Sequence, residues 1–593
     1  MLLRDIIIWF VCIIIAAGLL IVAGMQLDSI NRQRQDMDLI IDRPENIPPS
    51  MAFATIATGA FRGLVVDALW MRADKLKEQG HFFDAKQLAE WITTLQPRFA
   101  SVWEFQAWNM AYNISVAIPA TQPDQRWQWV KNGYELLRDQ GIPLNPKCID
   151  LYLELARIFQ HKIGGVSDDA HKYYKLQMVL AMEPLLGPAN NDYFDALSKA
   201  PEKWEEIVSD PNVEMLISVL KLTDKALSDS DYSVFVSNYL SLRQNAGRYD
   251  PNSGRVIDDY RGTETLEKFD IFAKAYQLRN TWKLEPRFMT ELNKMYGPIN
   301  WDDPNKHLPL DWRHPDCHAM YWAVKGLQAV SDDESREIEA DETNTDRIVG
   351  HCLQDLFRNG KIFVYDVPVQ VSQDSSLQQS VTIYKEVFLR PDLRMFKSYN
   401  ETVLAVLEKY KELERKGTYE SLQNGHRNML KNALFSFYQS GHRDYAQKIY
   451  NELKMRYPLP EFDVPLVVYV KNRLHEELKD IAITDAMEMI AMMLRESYFR
   501  YAMRDDDEAA GLESMAMEVH KYYQSMYNDE NRIDLPEFPL LRYFALMDFL
   551  NDRQYPPNMG RNLLGRIKVE KPELAEQLEQ QEEKLIQELE QTK

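Results

Sequence analysis

The segment KLKEQGHFFDAKQLAEWITTLQP, residues 75–97, gives the clearest indication of the fold. Its small, apolar and helix-stopping residues lie at offsets 0, 5, 9, 12 and 17, namely at Gly80, Ala85, Ala89, Ile92 and Pro97. Glycine permits a sharp turn, a small alanine lets one helix approach another closely, and proline stops a helix. The spacing therefore predicts two packed helices joined by a turn at Gly80.

A second stretch, FYQSGHRDYAQKIYNELKMRYP at residues 437–458, repeats the pattern independently. The same five offsets are occupied by Gly441, Ala446, Tyr450, Leu453 and Pro458. These spacings resemble the tetratricopeptide repeat, a unit of about 34 residues that contains two helices, A and B. The resemblance implies a right-handed α-solenoid that binds other proteins.

The resemblance extends over residues 66–185 and 430–460, with degenerate units between the two quoted stretches. In the units that follow Pro97, the packing positions fall on Trp103, Ala107, Met110, Leu155, Ala156, Phe159, Ala170 and Tyr174. We therefore expect an all-α fold of degenerate tetratricopeptide-like hairpins. One exception is KIFVYDVPVQVSQDSSLQQSVTIYKEVFLRPD, whose β-branched and aromatic residues predict a β-hairpin or long loop near residues 360–392.

Residues 6–25, IIIWFVCIIIAAGLLIVAGM, form the most apolar segment of the chain. Twenty uncharged residues are enough for a helix to span a bilayer core of about 30 Å. A cleaved signal peptide is the alternative, but its apolar region is usually shorter, about 7–15 residues. We therefore expect a retained single-pass anchor with the body outside the cytoplasm, in the periplasm, although the flanking charges do not decide the orientation.

This organisation predicts six segments along the chain. They are an anchor at 1–25, a polar stalk at 26–50, helical repeats at 51–186, a less regular helical region at 187–397, a second helical block at 398–560, and a charged helix at 561–593. The anchor together with FRGLVVDALWMRADKL is similar to uncharacterised membrane-anchored repeat proteins of bacteria.

The net charge of −21, from 90 acidic and 69 basic residues, disfavours binding to nucleic acid. The sequence contains no phosphate-binding glycine loop, GxSxG elbow, HExxH motif or CxxC pair. We therefore expect no enzyme activity and no cofactor. The best metal candidates are His314, Cys317 and His318, supplemented by His351 and Cys352. Adjacent ligands at 317 and 318 do not suit a tetrahedral site, so we expect no metal there.

The tetratricopeptide resemblance also indicates which side chains line the concave groove, because one set of helix A positions faces it. In this register the groove residues are Trp70, Asp74, Lys77, Glu104, Trp108, Tyr112, Asp150, Arg157, Gln160 and His161. Their aromatic and charged character suits an extended peptide or a protein helix. We expect a membrane-anchored, non-catalytic adaptor for protein partners; the alternatives are an extracytoplasmic metal-binding protein or enzyme that uses the His314–Cys352 region, and a structural spacer.

Overall fold

The computed structural model describes residues 62–331, 340–371, 380–412, 416–478, 483–526, 535–552 and 555–591, together with Gly18. This part of the chain is mostly helical, as the sequence predicts. The anchor predicted at 6–25, apart from Gly18, and the stalk predicted at 26–50 lie outside the described residues. Within the described ranges, no helix is long and apolar enough to cross a membrane.

The chain divides into two compact units, Met1–Phe99 and Ala100–Lys593. In the first unit, α1 (Arg62–Glu78) and α2 (Phe82–Leu95) form a helical hairpin. Gly80 turns the chain with a left-handed backbone, at a φ of 79°. The predicted packing residues Ala85, Ala89 and Ile92 are fully buried in this hairpin. The turn and the packing positions of the first quoted stretch are therefore confirmed.

The second unit contains the remaining described α-helices of five or more residues, which lie on either side of the β-hairpin formed by residues 361–390. Up to the hairpin they are α3 (Ala100–Trp108), α4 (Pro123–Leu136), α5 (Ile149–Arg157), α6 (His171–Met182), α7 (Asn191–Lys199), α8 (Trp204–Val208), α9 (Pro211–Thr223), α10 (Tyr232–Gln244), α11 (Pro251–Asp259), α12 (Glu264–Gln277), α13 (Pro286–Tyr296), α14 (Pro315–Ser331) and α15 (Ala340–Asn359). After the hairpin they are α16 (Phe396–Glu412), α17 (Lys416–Gln439), α18 (Arg443–Arg456), α19 (Leu466–Leu478), α20 (Ile483–Ala502), α21 (Asp506–Met526), α22 (Phe538–Asn551), α23 (Pro557–Glu570) and α24 (Pro572–Gln591).

The helices between α7 and α12 are short because the sequence starts and stops them frequently. Five of them begin at a side chain that accepts a hydrogen bond from a backbone N–H of the first turn: Asn190, Asp210, Asp231, Asp250 and Thr263. Such caps satisfy donors that the helix itself leaves unpaired. The predicted less regular region therefore consists mainly of short, well-capped helices.

The middle of the second unit is built around α14. Every residue from Pro315 to Val324 is buried, although the segment includes an aspartate and a histidine. Just before this helix, buried Trp312 donates its indole N–H to Asn293 Oδ1 at 3.0 Å. The hairpin of α14 and α15 packs directly against α5. In a regular tetratricopeptide array, each hairpin contacts only the hairpins next to it in the chain. The contact of α14 and α15 with α5 is therefore a departure from that arrangement.

The predicted β-hairpin is present as β1 (Lys361–Val371) and β2 (Ser380–Arg390), paired antiparallel with Lys361 opposite Arg390. Its base is joined to later helices by ion pairs. Lys361 Nζ lies 2.8 Å from Asp505 Oδ1 and 3.0 Å from Glu508 Oε1. These carboxylates lie at the turn between α20 and α21, so the hairpin base is tied to the second helical block.

The second quoted stretch forms the hairpin of α17 and α18. Gly441 turns the chain with a φ of 82°, and Ala446, Tyr450 and Leu453 are buried where the helices meet. The turn and packing positions predicted here are therefore also confirmed.

Candidate functional site

Three consecutive helices of the second unit end in π-helical segments. The segment Asn109–Ile114 follows α3, Leu137–Gly141 follows α4, and Ile158–Ile163 follows α5. Each π-helical turn accommodates an extra residue and shifts the side chains beyond it around the helix axis. Tyr112 and His161, both predicted groove residues, lie in such segments. Their side chains therefore point in directions that differ from those in a regular α-helix.

Trp108, Tyr112 and His161 form a continuous row of rings, which we call the aromatic ledge. The centroids of Trp108 and Tyr112 lie 5.7 Å apart with near-parallel planes, and those of Tyr112 and His161 lie 6.0 Å apart. Trp108 and Tyr112 are half-buried, whereas His161 is exposed. Tyr112 also donates its hydroxyl to the backbone oxygen of Arg157 at 3.4 Å, so this ring helps to join two helices as well as lining the surface.

Beside the ledge lie four carboxylates, Glu104, Asp150, Glu154 and Asp341, which we call the acidic cluster. Glu104 comes from α3, Asp150 and Glu154 from α5, and Asp341 from the first turn of α15. Burial and the neighbouring charges of Asp150 and Asp341 raise the pKa of Glu104, while Arg157 opposes this rise. Three helices that are far apart in sequence therefore place acidic groups close together.

Glu154 is the most deeply buried member of the cluster. Its side chain is 1% exposed, and its Oε2 accepts a hydrogen bond from Arg157 Nη1 at 2.9 Å. Its Oε1 is buried without a hydrogen-bond partner. Burial raises the pKa of Glu154 to about 7, Arg157 counteracts the rise, and Glu104 adds to it. A carboxylate of this kind is unusual because buried charged atoms are normally hydrogen-bonded.

Helix α15 contacts this part of the second unit. Gln160, predicted to face the groove, donates its side-chain amide to Asp355 Oδ2 of α15 at 2.9 Å. Gln160 is half-buried, and its amide contacts a helix nearly 200 residues later in the chain. No short-range spacing indicates this contact.

The other predicted groove residues, Trp70, Asp74 and Lys77, belong to α1 of the first unit. Trp70 is half-buried, and its ring centroid lies 5.7 Å from that of Phe99. Lys77 is half-buried and Asp74 is exposed. The structure thus brings Glu104, Trp108, Tyr112, Asp150, Arg157 and His161 together within the second unit.

Four of the five candidate metal ligands, His314, Cys317, His318 and Cys352, are buried, whereas His351 is exposed. His318 Nε2 lies 2.9 Å from the backbone oxygen of Trp312, and Cys317 Sγ lies 3.2 Å from the backbone oxygen of Asp311. His314 Nδ1 lies 3.1 Å from Asp316 Oδ2. In the described part of the chain, no three His, Cys, Asp or Glu side chains are arranged to hold a metal ion.

A cavity of about 500 Å³ lies elsewhere in the second unit, between α7, the segment before α14, and the hairpin base. Two Asp-x-Arg motifs line this cavity, Asp311 with Arg313 and Asp392 with Arg394. In both motifs the arginine donates two hydrogen bonds of 2.7–2.8 Å to the carboxylate of its own aspartate. Lys361, also in the lining, is held by two carboxylates. Because these charges neutralise one another internally, the aromatic ledge and acidic cluster are the stronger candidate site.

No protein-family model matches this chain, and no curated protein is similar to it in sequence. We therefore infer a function from the geometry of the ledge and the cluster.

Proposed function

We propose that this chain is a non-catalytic adaptor that binds a polypeptide segment of a partner protein on the second unit and is tethered to a membrane by residues 6–25. The observation that carries the proposal is the aromatic ledge beside the acidic cluster. Tryptophan and tyrosine dominate the energetic centres of protein interfaces, because they bury large areas at little cost in conformational entropy.

The repeated hairpin geometry supports a tetratricopeptide-like architecture for this adaptor. The hairpins α1–α2 and α17–α18 share the turn glycine, the fully buried alanine five residues later, and a 14-residue second helix followed by proline. Such helical-hairpin arrays typically present extended surfaces to other proteins. We propose that the α-solenoid class describes the helical repeats on both sides of the less regular middle region.

The chemistry of the buried residues favours binding over catalysis. Cys317 and Cys352 are fully buried, and burial raises the pKa of both thiols well above the usual range. Such thiols are poor nucleophiles because the thiolate is the reactive form. His318 is buried, and the loss of solvation lowers its pKa to about 4. These groups are therefore suited to packing.

The test uses the tagged full chain, crosslinked in native membranes and purified. The variant Trp108→Ala with Tyr112→Ala removes two rings of the ledge and should abolish crosslinks to the partner, since hot-spot truncations cost about 2 kcal/mol or more. Tyr112→Phe keeps the ring and should retain them. The matched control, Tyr232→Ala with Phe544→Ala, removes two rings that are 41% and 45% exposed elsewhere in the second unit.

The helical circular-dichroism signal checks that each variant is folded. If the Trp108/Tyr112 double variant captures the same partners as the parent chain, the adaptor proposal fails, and the result favours the alternative of a structural spacer. The tether is tested separately by intact mass: a mature N-terminus near Met25 would contradict a retained anchor at 6–25.

A further inference from the structure

The cavity of about 500 Å³ between α7, the segment before α14 and the hairpin base has an apolar interior. Phe194, Leu310, Leu356 and Met395 line it, and each of these side chains is 3% exposed or less. Ligand pockets in proteins have volumes of about 300–1,000 Å³ and are lined mainly by apolar side chains, with a few polar groups that orient the ligand. The cavity therefore has the size and the lining of a site for a small organic molecule.

One guanidinium of the lining retains an unused hydrogen-bond donor. Arg394 donates from Nε and Nη2 to Asp392, at 2.8 and 2.7 Å, and its side chain is 31% exposed. Within the described part of the chain, its Nη1 amino group donates no hydrogen bond and is not buried. In Arg313, by contrast, Nη1 lies 3.7 Å from Glu183 Oε1. Arg394 therefore offers its Nη1 group to a ligand where the lining reaches solvent.

The charges around Arg394 favour an uncharged ligand group. Arg394 already binds one aspartate, and the carboxylates of Asp505 and Glu508 also act on it. These two carboxylates are bound in turn by Lys361 and Arg500. Because these charges are already paired, a carboxylate or an ammonium group in the cavity would add an unpaired charge. A neutral carbonyl oxygen accepts the hydrogen bond from Nη1 without adding a charge.

The apolar interior limits what can be attached to that carbonyl. A peptide segment would carry backbone N–H and C=O groups into the buried part of the cavity, and each of them is costly there without a hydrogen-bond partner. A hydrocarbon chain carries no such groups, and its burial against apolar side chains is favourable. The lining therefore fits an apolar chain with one neutral acceptor at its end.

We propose that this cavity binds a small neutral acyl compound, an ester or amide whose hydrocarbon chain lies in the apolar interior and whose carbonyl oxygen accepts a hydrogen bond from Arg394 Nη1. The site is separate from the aromatic ledge and goes beyond the proposed adaptor function, because it gives the chain a small-molecule ligand as well as a protein partner.

The test uses the full chain in lipid nanodiscs and a photo-crosslinking probe, N-methyl-octanamide with a diazirine near the end of its chain. Two companion probes keep the chain and replace the amide by a carboxylate or an ammonium group. After irradiation, peptide mass spectrometry reports the labelled segments. We expect the charged probes to label the lining about tenfold less than the amide probe, and excess unlabelled N-methyl-octanamide to remove the amide labelling. The lining segments are 183–194, 308–313, 356–363 and 392–395.

One pair of variants tests the contact with the carbonyl. Arg394→Met with Asp392→Asn removes the donor without leaving a buried carboxylate unpaired, and asparagine can still accept from the backbone N–H of residue 394. The concentration of amide probe that gives half-maximal labelling should rise about tenfold, the effect of losing one hydrogen bond to a charged group. The matched control, Arg261→Met with Asp258→Asn, removes an exposed ion pair elsewhere in the second unit and should leave that concentration unchanged.

A second pair of variants tests the cavity itself. Leu310→Phe enlarges a lining side chain and should remove most of the labelling, while the thermal midpoint stays unchanged or rises because the ring fills a void. Leu292→Phe is the control: this leucine is 1% exposed and outside the lining, so the larger ring should lower the midpoint by overpacking. This pair gives a readout that remains if the Arg394→Met variant unfolds.

Several results would overturn the inference. Labelling outside the lining, or labelling that excess amide does not remove, excludes a site in this cavity, as does Leu310→Phe with full labelling. Equal labelling by either charged probe excludes recognition of a neutral acceptor, and an unchanged half-maximal concentration in the Arg394→Met variant excludes the contact with Nη1. The Trp108/Tyr112 variant should keep full labelling, so the result does not depend on whether the proposed function holds.

Discussion

Gly80 and Gly441, in different compact units, have the same left-handed backbone, with φ values of 79° and 82°. In both turns the N–H of the following histidine donates to the carbonyl five residues earlier, at 2.8 and 2.9 Å. In each hairpin, the residue after the second helix, Gln96 or Tyr457, donates its backbone N–H to the carbonyl oxygen of the residue four positions earlier. Two distant stretches with the same spacing thus form the same turn, because a turn of this kind is specified locally.

Gly441→Ala should destabilise the chain by about 1–2 kcal/mol, because an L-residue is strained in the left-handed region. A Cβ atom added at Gly441 would contact only Gly511 Cα, at 3.6 Å, so the loss of stability comes from backbone strain and not from a steric clash. Gly425→Ala is the control: this exposed glycine lies within α17 and has no neighbour within 4 Å, and alanine there should stabilise by up to about 1 kcal/mol. Thermal midpoints that shift in the same direction for both variants would contradict the turn assignment.

Ala85→Leu and Ala446→Leu should each lower the thermal midpoint, because both alanines are fully buried at a helix crossing. Overpacking such a contact costs about 1–3 kcal/mol. Ala68→Leu on the exposed side of α1 is the control and should be nearly neutral. If the thermal midpoints of the two buried variants match that of the control, the hairpins tolerate larger residues. The positions assigned to small residues at the helix crossings would then be wrong.

Stability should fall between about pH 4.5 and pH 7 partly because of Glu154, whose pKa is raised from 4.5 to about 7. A raised carboxyl pKa means that the folded state holds a proton that the unfolded state releases, so the stabilisation present at low pH is lost as pH rises. Glu154→Gln should therefore leave stability unchanged near pH 4 and raise it at pH 8 by about 3 kcal/mol.

Thermal midpoints of parent and variant across pH 4–8 test this expectation. The pKa of Glu104 is also raised, and Glu104 is present in both chains, so their difference reports Glu154 together with its interaction with Glu104. Glu205→Gln, at an exposed site, should show no such difference. A parent and a Glu154→Gln variant with parallel pH profiles would contradict the buried position of this carboxylate.

Asp150→Asn should increase the reactivity of Cys148 toward a small thiol reagent at pH 8. Burial raises the pKa of Cys148, and Asp150, whose Oδ2 lies 4.0 Å from the sulfur, raises it further. Removing that charge increases the thiolate fraction, and the thiolate is the reactive form. We expect a rate about twofold higher or more. Cys317 and Cys352 are fully buried and should stay unreactive until the chain unfolds.

A Cys12→Ser background keeps the measurement on Cys148. An unchanged rate in the Asp150→Asn variant would mean that Asp150 does not act on the thiol and that the acidic cluster is less compact than described. Faster reaction of Cys317 in the same variant would instead indicate unfolding.

The helical hairpins were predictable from the sequence because turn and packing residues lie within one short stretch. Ala85 and Ala446 are buried as the spacing predicts. The spacing did not reveal Gly133, where α4 crosses α3 so closely that a Cβ would lie 2.9 Å from the carbonyl oxygen of Ala107. Gly133 lies within a helix and not at a turn, so no sequence pattern indicates its role. The close approach of the neighbouring backbone is the reason that a glycine is needed at this position.

The candidate site was predictable only in part. The rings of Trp108, Tyr112 and His161 are adjacent, and all three belong to the set that the register assigns to the groove. The register did not indicate that the side chain of Gln160 donates a hydrogen bond to α15. The π-helical segments after α3 and α5 are a further departure, because the extra residue in each depends on packing against other helices.

Short-range patterns in the sequence were enough to predict the helical class of the body, the turns at Gly80 and Gly441, and the small residues at the helix crossings, because each of these depends on residues a few positions apart. Three features came only from the folded chain: α14 and α15 pack on α5, Asp341 lies near Glu104, and burial raises the pKa of Glu154 to about 7. The physical reason is that burial and charge–charge interactions act through space, between residues that the chain keeps far apart.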